Sequence, residues 1–404
     1  MNREETEKRE NPPTLRQAAR FFTRETEIMS AISLACGDRD RLATALAGNV
    51  TERTVFDLAS VTKLIVGLCA MKLREEGKLD FDRPVTDYAP RFFRLNQVTV
   101  GETLSFSVSL QTPGRIDACG DREQGLNCLY ATAPTGPSGP RAYSDIPAMV
   151  IKYVMEAAAG CSLYDCIRQR VLEPAGMTET WARVPEERLG DCACYSPEYR
   201  LEKGRKICRD GLRPGIPHDP KAALLQGDSG DLCGHAGLFS TREDLIRLCR
   251  AILSGRILTG ASLREMARNR TGRRLEGGGY TQYLGYLCYV RHPDQYYSEI
   301  PAYMGRQAFG IAGFTGNHLS VDPERGIFAL FLGNRVQGRL TVLTLEEGKS
   351  LTDYGLREDG SGLYRWSDDL LIPSSVQYVH QKDAHFHRAA AAVMGWPEIP
   401  VFGD

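Results

Sequence analysis

Ser60 and Lys63 stand three residues apart in the run Phe56-Asp57-Leu58-Ala59-Ser60-Val61-Thr62-Lys63-Leu64. On a helix, positions i and i+3 share a face, so the lysine amine can reach the serine hydroxyl. An amine that takes the hydroxyl proton makes the serine a nucleophile. An ordinary lysine titrates near ~10.4, which leaves about one part in 10³ neutral at pH 7. Lys63 must therefore be buried if it is to serve as a base. Ser-x-x-Lys is short, and by itself it fits a helix-capping serine beside a solvated lysine better than a catalytic pair.

The elements around this pair decide between the two readings. The run from Ser60 to Leu73 has no proline, one glycine and apolar residues at helical spacing. It ends in Arg74-Glu75-Glu76-Gly77, which predicts a buried helix with Ser60 in its first turn. The first backbone N–H groups of such a helix have no partner within it and present a partial positive field. Two strands joined by a turn are predicted within residues 27–50. A hairpin is predicted from 317–321 and 327–332 around Asp322-Pro323-Glu324-Arg325-Gly326. Helical spacing recurs at 148–159, 162–172 and 244–252, the last capped by Ser240 and Thr241 with Glu243 in its first turn. Residues 284–290 read as a strand. The Gly- and Pro-rich stretch 112–142, which includes Gly139-Pro140 and ends at Ala142-Tyr143-Ser144-Asp145, reads as a loop, and 181–233 reads as irregular.

A chain of 404 residues, 42% hydrophobic, is long enough for one large domain or two lobes around a sizeable core. Its 50 basic and 51 acidic residues nearly cancel, so no charge footprint points to nucleic acid or an anionic membrane. No apolar run approaches the length of a membrane span. The opening Met1-Asn2-Arg3-Glu4-Glu5 and the residues after it lack the apolar segment of a signal peptide. The 12 cysteines form no Cys-x-x-Cys pair, and the 7 histidines have no ligand spacing beside them. No metal or cofactor is expected. Free thiols and a cytoplasmic location are.

The Ser60 run, its helix and the following Glu76-Gly77-Lys78-Leu79-Asp80-Phe81-Asp82-Arg83-Pro84-Val85 resemble the serine β-lactamase and penicillin-binding-protein superfamily, most of all its class C and esterase-like branch. Glu173-Pro174-Ala175-Gly176-Met177-Thr178-Glu179-Thr180 and Gly234-His235-Ala236-Gly237-Leu238-Phe239-Ser240-Thr241 add to it. So does the stretch from Gly313-Phe314-Thr315-Gly316 to Asn334-Arg335. The resemblance covers residues 27–338. It implies an α+β fold (α/β sandwich) of β-lactamase/transpeptidase type, with an antiparallel sheet flanked by helices and a mostly helical lobe. The sheet lobe would hold 27–56 and 241–338, the helical lobe 57–240, with the site between them. Residues 1–26 would be a polar lead-in and 339–404 a docked C-terminal extension.

The resemblance also assigns roles. Ser60 would be the nucleophile, Lys63 its base or proton relay, and Tyr143 the tyrosine of the family's Tyr-x-Asn motif. Backbone N–H groups of Ser60 and Phe314 would hold the oxyanion. Asp145, Ile311, Gly313 and Phe314 would bind substrate. Three departures stand out. Ser105-Phe106-Ser107 replaces a His-Thr-Ser-Gly-Leu run. Asp145 replaces asparagine, where it either favours the Lys63 ammonium or binds a positive group of the substrate. Ile311-Ala312-Gly313 replaces Lys-Thr-Gly or His-Thr-Gly, so the family's carboxylate anchor is missing. The implied function is serine hydrolysis of a small-molecule ester or amide through an acyl-enzyme, without efficient β-lactamase activity. The departures suggest a site of negative potential, which would turn over neutral short-chain esters or substrates with a free amine better than carboxylates. The alternatives are a catalytically weak or inactive binding relative and a D-amino-acid peptidase. Asn317, Arg335 and His235 fall near the site without an assigned role.

Overall fold

Alternating side chains build the sheet that the rest of the chain covers. Its strands are β1 (Ala31–Gly37), β2 (Leu42–Gly48), β3 (Tyr289–Val290), β4 (Phe309–Gly313), β5 (Asn317–Asp322) and β6 (Ile327–Asn334). They form one antiparallel sheet in the order β3-β4-β5-β6-β1-β2. The early and late parts of the chain meet at its centre, where Leu34 pairs with Phe331. The β5–β6 turn is tied by Asp322, whose Oδ1 accepts the N–H groups of Glu324 and Arg325. The computed structural model describes residues 13–137 and 141–399. The first twelve residues of the lead-in, Gly139-Pro140 of the predicted loop, and the last five residues lie outside the described residues.

Helices cover both faces. The main ones are α1 (Leu15–Arg20), α2 (Val61–Glu75), α3 (Ile146–Ala159), α4 (Arg242–Leu253) and α5 (Arg388–Met394). Because strand residues alternate, Phe328, Leu330 and Leu332 of β6 join the cluster that contains α2 and α3. Ile327, Ala329 and Phe331 join the opposite cluster with α1 and α5. The α2 helix begins at Ser60 and runs two residues past the expected end. Its early N–H groups are not free, however. Those of Val61, Thr62 and Lys63 donate to the carbonyls of Leu58, Ala59 and Ser60, because the chain enters through a tight turn that satisfies them. At α4 the cap is Thr241, which accepts from the Asp244 N–H. Ser240 belongs instead to a short strand and pairs with the Thr180 hydroxyl.

Other expectations change. The stretch 112–142 is not a plain loop. It carries a helix, Arg122–Tyr130, capped by Asp121, and the strand Ala133–Pro137 paired with Val108–Gln111. Residues 181–233 hold a hairpin, Glu198–Glu202 with Arg205–Arg209, and a helix, Pro220–Leu225. The strand predicted at 284–290 shrinks to its last two residues because Leu287 takes a left-handed φ of 53°, which breaks extended pairing. The helix at 162–172 starts at Leu163 and continues through a widened turn to Ala175.

After β6 the chain adds a strand, Leu340–Thr344, parallel to Glu198–Glu202, and returns to the sheet. Phe386, fully buried, packs edge-on to Phe331 with ring centroids 5.5 Å apart. Truncating such a side chain leaves a cavity against the central sheet. Phe386→Ala should therefore cost about 3–5 kcal/mol. It should appear as a lower urea midpoint with an unchanged slope. A midpoint that does not move would show that this segment unfolds apart from the sheet.

Candidate active site

Three backbone segments converge on the turn before Ser60. Phe56–Asp57 pairs with Phe239–Ser240. The buried Asp57 carboxylate accepts the N–H of Ala59 at 2.8 Å and of His218 at 2.7 Å. Its carbonyl accepts from the Thr315 hydroxyl at 2.9 Å and the Asn317 amide at 2.7 Å. These bonds hold Ala59 at φ 46°, a left-handed conformation that costs a non-glycine residue about 1–2 kcal/mol. Gly313 at the end of β4 approaches the same turn. A Cβ there would lie 2.7 Å from the Leu58 carbonyl oxygen, so only glycine lets the strand come this close. Asn317 is thus part of the scaffold under the serine.

Ser60 occupies the N-cap position of α2, but its hydroxyl makes no capping bond. It accepts instead from Lys63 Nζ at 2.8 Å. The same amine donates to Asp145 Oδ1 at 2.8 Å and to the His235 carbonyl at 3.1 Å. Lys63 is completely buried, which rules out the capping serine and solvated lysine. Burial pulls its pKa below the ordinary lysine range, while the Asp145 carboxylate opposes the shift.

Asp145 does not stand open as a negative group. Lys221 Nζ lies 3.1 Å from its second oxygen and 3.0 Å from Asp219, and His235 Nε2 lies 2.9 Å from Asp219. Burial alone would raise the Asp145 carboxyl, but the charges of Lys63 and Lys221 outweigh it and hold the group well below the usual carboxylate range. Asp145, Asp219 and His235 cluster closely enough to share a cation, and the Lys221 ammonium bridges the two carboxylates there. Asp219 and Lys221 were missed in the sequence. Their signal was present: Asp219-Pro220 is an N-cap followed by a first-turn proline, and Asp219 caps Pro220–Leu225.

Tyr143 is packed between Phe106 and Tyr289, with ring centroids 5.5 and 5.3 Å away. The Gln282 side chain accepts its backbone N–H. Its hydroxyl is buried without a hydrogen-bond partner among the described residues. Burial, helped by the nearby Asp145 charge, pushes its pKa well above the ordinary value, so the phenol keeps its proton at neutral pH.

Ser60, Tyr143, Asp145, Gly313 and Phe314 line one cavity of about 610 Å³, a size suited to a small molecule. Among the described residues, neither the Ser60 nor the Phe314 backbone N–H is engaged by an acceptor. Ile311 does not belong to this wall. It is fully buried in the core cluster with α2, because it sits on the core side of β4, and its neighbour Ala312 lines the cavity instead. The acids of the wall, Asp117, Asp145, Glu202, Asp219 and Glu299, stand beside the bases Arg115, Arg200, Lys221 and Arg335.

The Beta-lactamase family profile matches residues 19–346. A putative D-alanyl-D-alanine carboxypeptidase of Escherichia coli K12 is 25% identical over 333 residues, covering 70% of each chain. Esterase EstB of Burkholderia gladioli is 27% identical over 362 residues, covering 80% of this chain and 88% of its own. The structure of EstCE1, a hydrolase with promiscuous acyltransferase activity, superposes with a TM-score of 0.65 at 18% identity, covering 94% and 97% of the two chains.

The Asp145–Lys63 pair sets a sign for pH dependence. The Asp145 carboxylate favours the ammonium, so its removal lowers the Lys63 pKa further and frees the base at lower pH. In Asp145→Asn the acid limb of kcat/KM for a chromogenic ester should move down by about one unit or more. A limb that stays in place or moves up would mean that Lys63 is not the titrating base.

Proposed function

This chain belongs to the beta-lactamase family, and on that premise we propose that it is a serine hydrolase cleaving a small-molecule ester or amide through an acyl-enzyme. The observation that carries this reading is the 2.8 Å contact between Ser60 Oγ and the fully buried Lys63 Nζ.

In this mechanism the neutral fraction of Lys63 takes the Ser60 hydroxyl proton as Oγ bonds to the substrate carbonyl carbon. The backbone N–H groups of Ser60 and Phe314 hold the oxyanion. Tyr143, protonated because it is buried, gives its proton to the leaving oxygen or nitrogen as that bond breaks. It regains a proton from the Lys63 ammonium, which leaves Lys63 neutral again. A water then loses a proton to Lys63 and attacks the acyl carbon. Ser60 Oγ leaves with that proton, and the acid is released. Asp145, Lys221 and the His235 carbonyl position the amine throughout.

Named relatives include both an esterase and a putative carboxypeptidase, and the proposed chemistry serves esters and amides alike, including a D-amino-acid peptide. Efficient β-lactamase activity is not part of the reading, because Ile311 and Ala312 carry no side-chain donor on the strand where the family's carboxylate anchor stands. The second reading, an inactive binding relative, is favoured by that same loss and opposed by the intact Ser60–Lys63 contact.

A fluorophosphonate probe should add one adduct to the intact mass of the wild type, mapped to the peptide containing Ser60. Ser60→Ala should gain none. A folded wild-type protein that never labels would favour the binding relative.

A further inference from the structure

Arg335 follows β6 and forms part of the cavity wall that also contains Ser60. It is only 9% exposed. Its Nε donates to the Phe314 carbonyl at 2.6 Å, and its guanidinium lies against the rings of Phe314 and Tyr378, each 4.4 Å from the centroid. The side chain is therefore fixed in direction. Its two terminal nitrogens make no hydrogen bond, and the guanidinium no ion pair, among the described residues.

The acids of the wall have other partners. Asp145 and Asp219 share Lys221, Glu202 and Asp117 are held by Arg115, and Glu299 faces Lys382. The neighbouring Arg200 is paired with the buried Glu198. Arg335 is left as a buried cation on the cavity wall without an ion pair among the described residues, and Glu198, whose charge reaches it, is already held by Arg200 and Arg209. Burying a guanidinium uncompensated is costly, and its fork matches a carboxylate in a two-point contact. Meanwhile the strand that carries the anchor in the family has Ile311 in the core and Ala312 at the wall.

Building on the hydrolase reading above, we propose that Arg335 is a specificity-determining residue that binds a carboxylate of the substrate, so that the preferred ester or amide is anionic. The anchor thus lies at the end of β6 rather than on β4. Tyr378, from the segment after residue 338, is a positioning residue that keeps the guanidinium aimed into the cavity.

The test compares kcat/KM within two matched pairs. With the charge on the acyl side, these are 4-nitrophenyl hydrogen glutarate and 4-nitrophenyl pentanoate. With it on the leaving group, they are 3-carboxyphenyl and 3-carbamoylphenyl acetate. The wild type should prefer the carboxylate by about ten- to a hundredfold in at least one pair, the worth of a charge-assisted contact. Arg335→Gln should abolish that preference, Arg335→Lys should keep part of it, and Tyr378→Leu should weaken it through KM more than kcat. No preference in either pair, or a preference that survives in Arg335→Gln, overturns the proposal.

Binding is read separately from turnover by heating the wild type with free glutarate or glutaramide. Glutarate alone should raise the melting temperature, and equal effects of the two overturn the anchor even if Arg335→Gln fails to fold. Ser60-dependent hydrolysis without charge preference would sink only the anchor. Glutarate binding without hydrolysis or labelling would sink only the hydrolase reading.

Discussion

Taking an ammonium out of water costs several kcal/mol unless close partners replace the lost hydration. Lys63 is completely buried, and its three donors meet the Ser60 hydroxyl, one Asp145 oxygen and the His235 carbonyl. A full counter-charge at Asp145 would lock the amine as an ammonium. Here the carboxylate is shared with Lys221, which weakens its hold. Burial and shared charge together leave the amine nearer to deprotonation than a surface lysine. The placement of Ser60, Tyr143 and Asp145 follows from where that amine lies.

The surrounding fold keeps this arrangement rigid. Asp57 ties the turn before Ser60 to β5 and to the segment containing His218. Gly313 lets β4 reach the same turn. Aromatic packing fixes Tyr143, and the chain after β6 closes the far wall with Tyr378. A serine at the start of a helix is common. A serine whose turn is bound by a buried aspartate and whose hydroxyl is taken by a buried lysine is a built site.

Much of this was legible in the residues. The uninterrupted apolar spacing after Ser60 marks α2, and the Asp322-Pro323 turn marks the β5–β6 hairpin, because both signals are local. The resemblance carried Tyr143, Gly313 and Phe314 to the cavity. What local spacing does not carry is pairing across distance. Asp145 reads alone as an added negative charge, yet Lys221 lies against it from a segment that looked irregular. Ile311 reads as a changed binding residue, yet strand alternation turns it into the core. Arg335 acquires its setting only when β6, the turn after β4 and the C-terminal segment meet. The helix at 122–130 was hidden by the glycines and prolines around it, although Asp121 announces its start.

In the proposed mechanism, burial makes Lys63 a base. This is tested most directly by titrating the side chain itself in protein labelled at lysine ¹³Cε, with the signal assigned by its loss in Lys63→Arg. Its midpoint should lie below the ordinary lysine value of ~10.4, separated from the bulk of the other lysines. A Lys63 signal that titrates at or above that value in the folded protein would contradict it, and would leave the proton of Ser60 without a base.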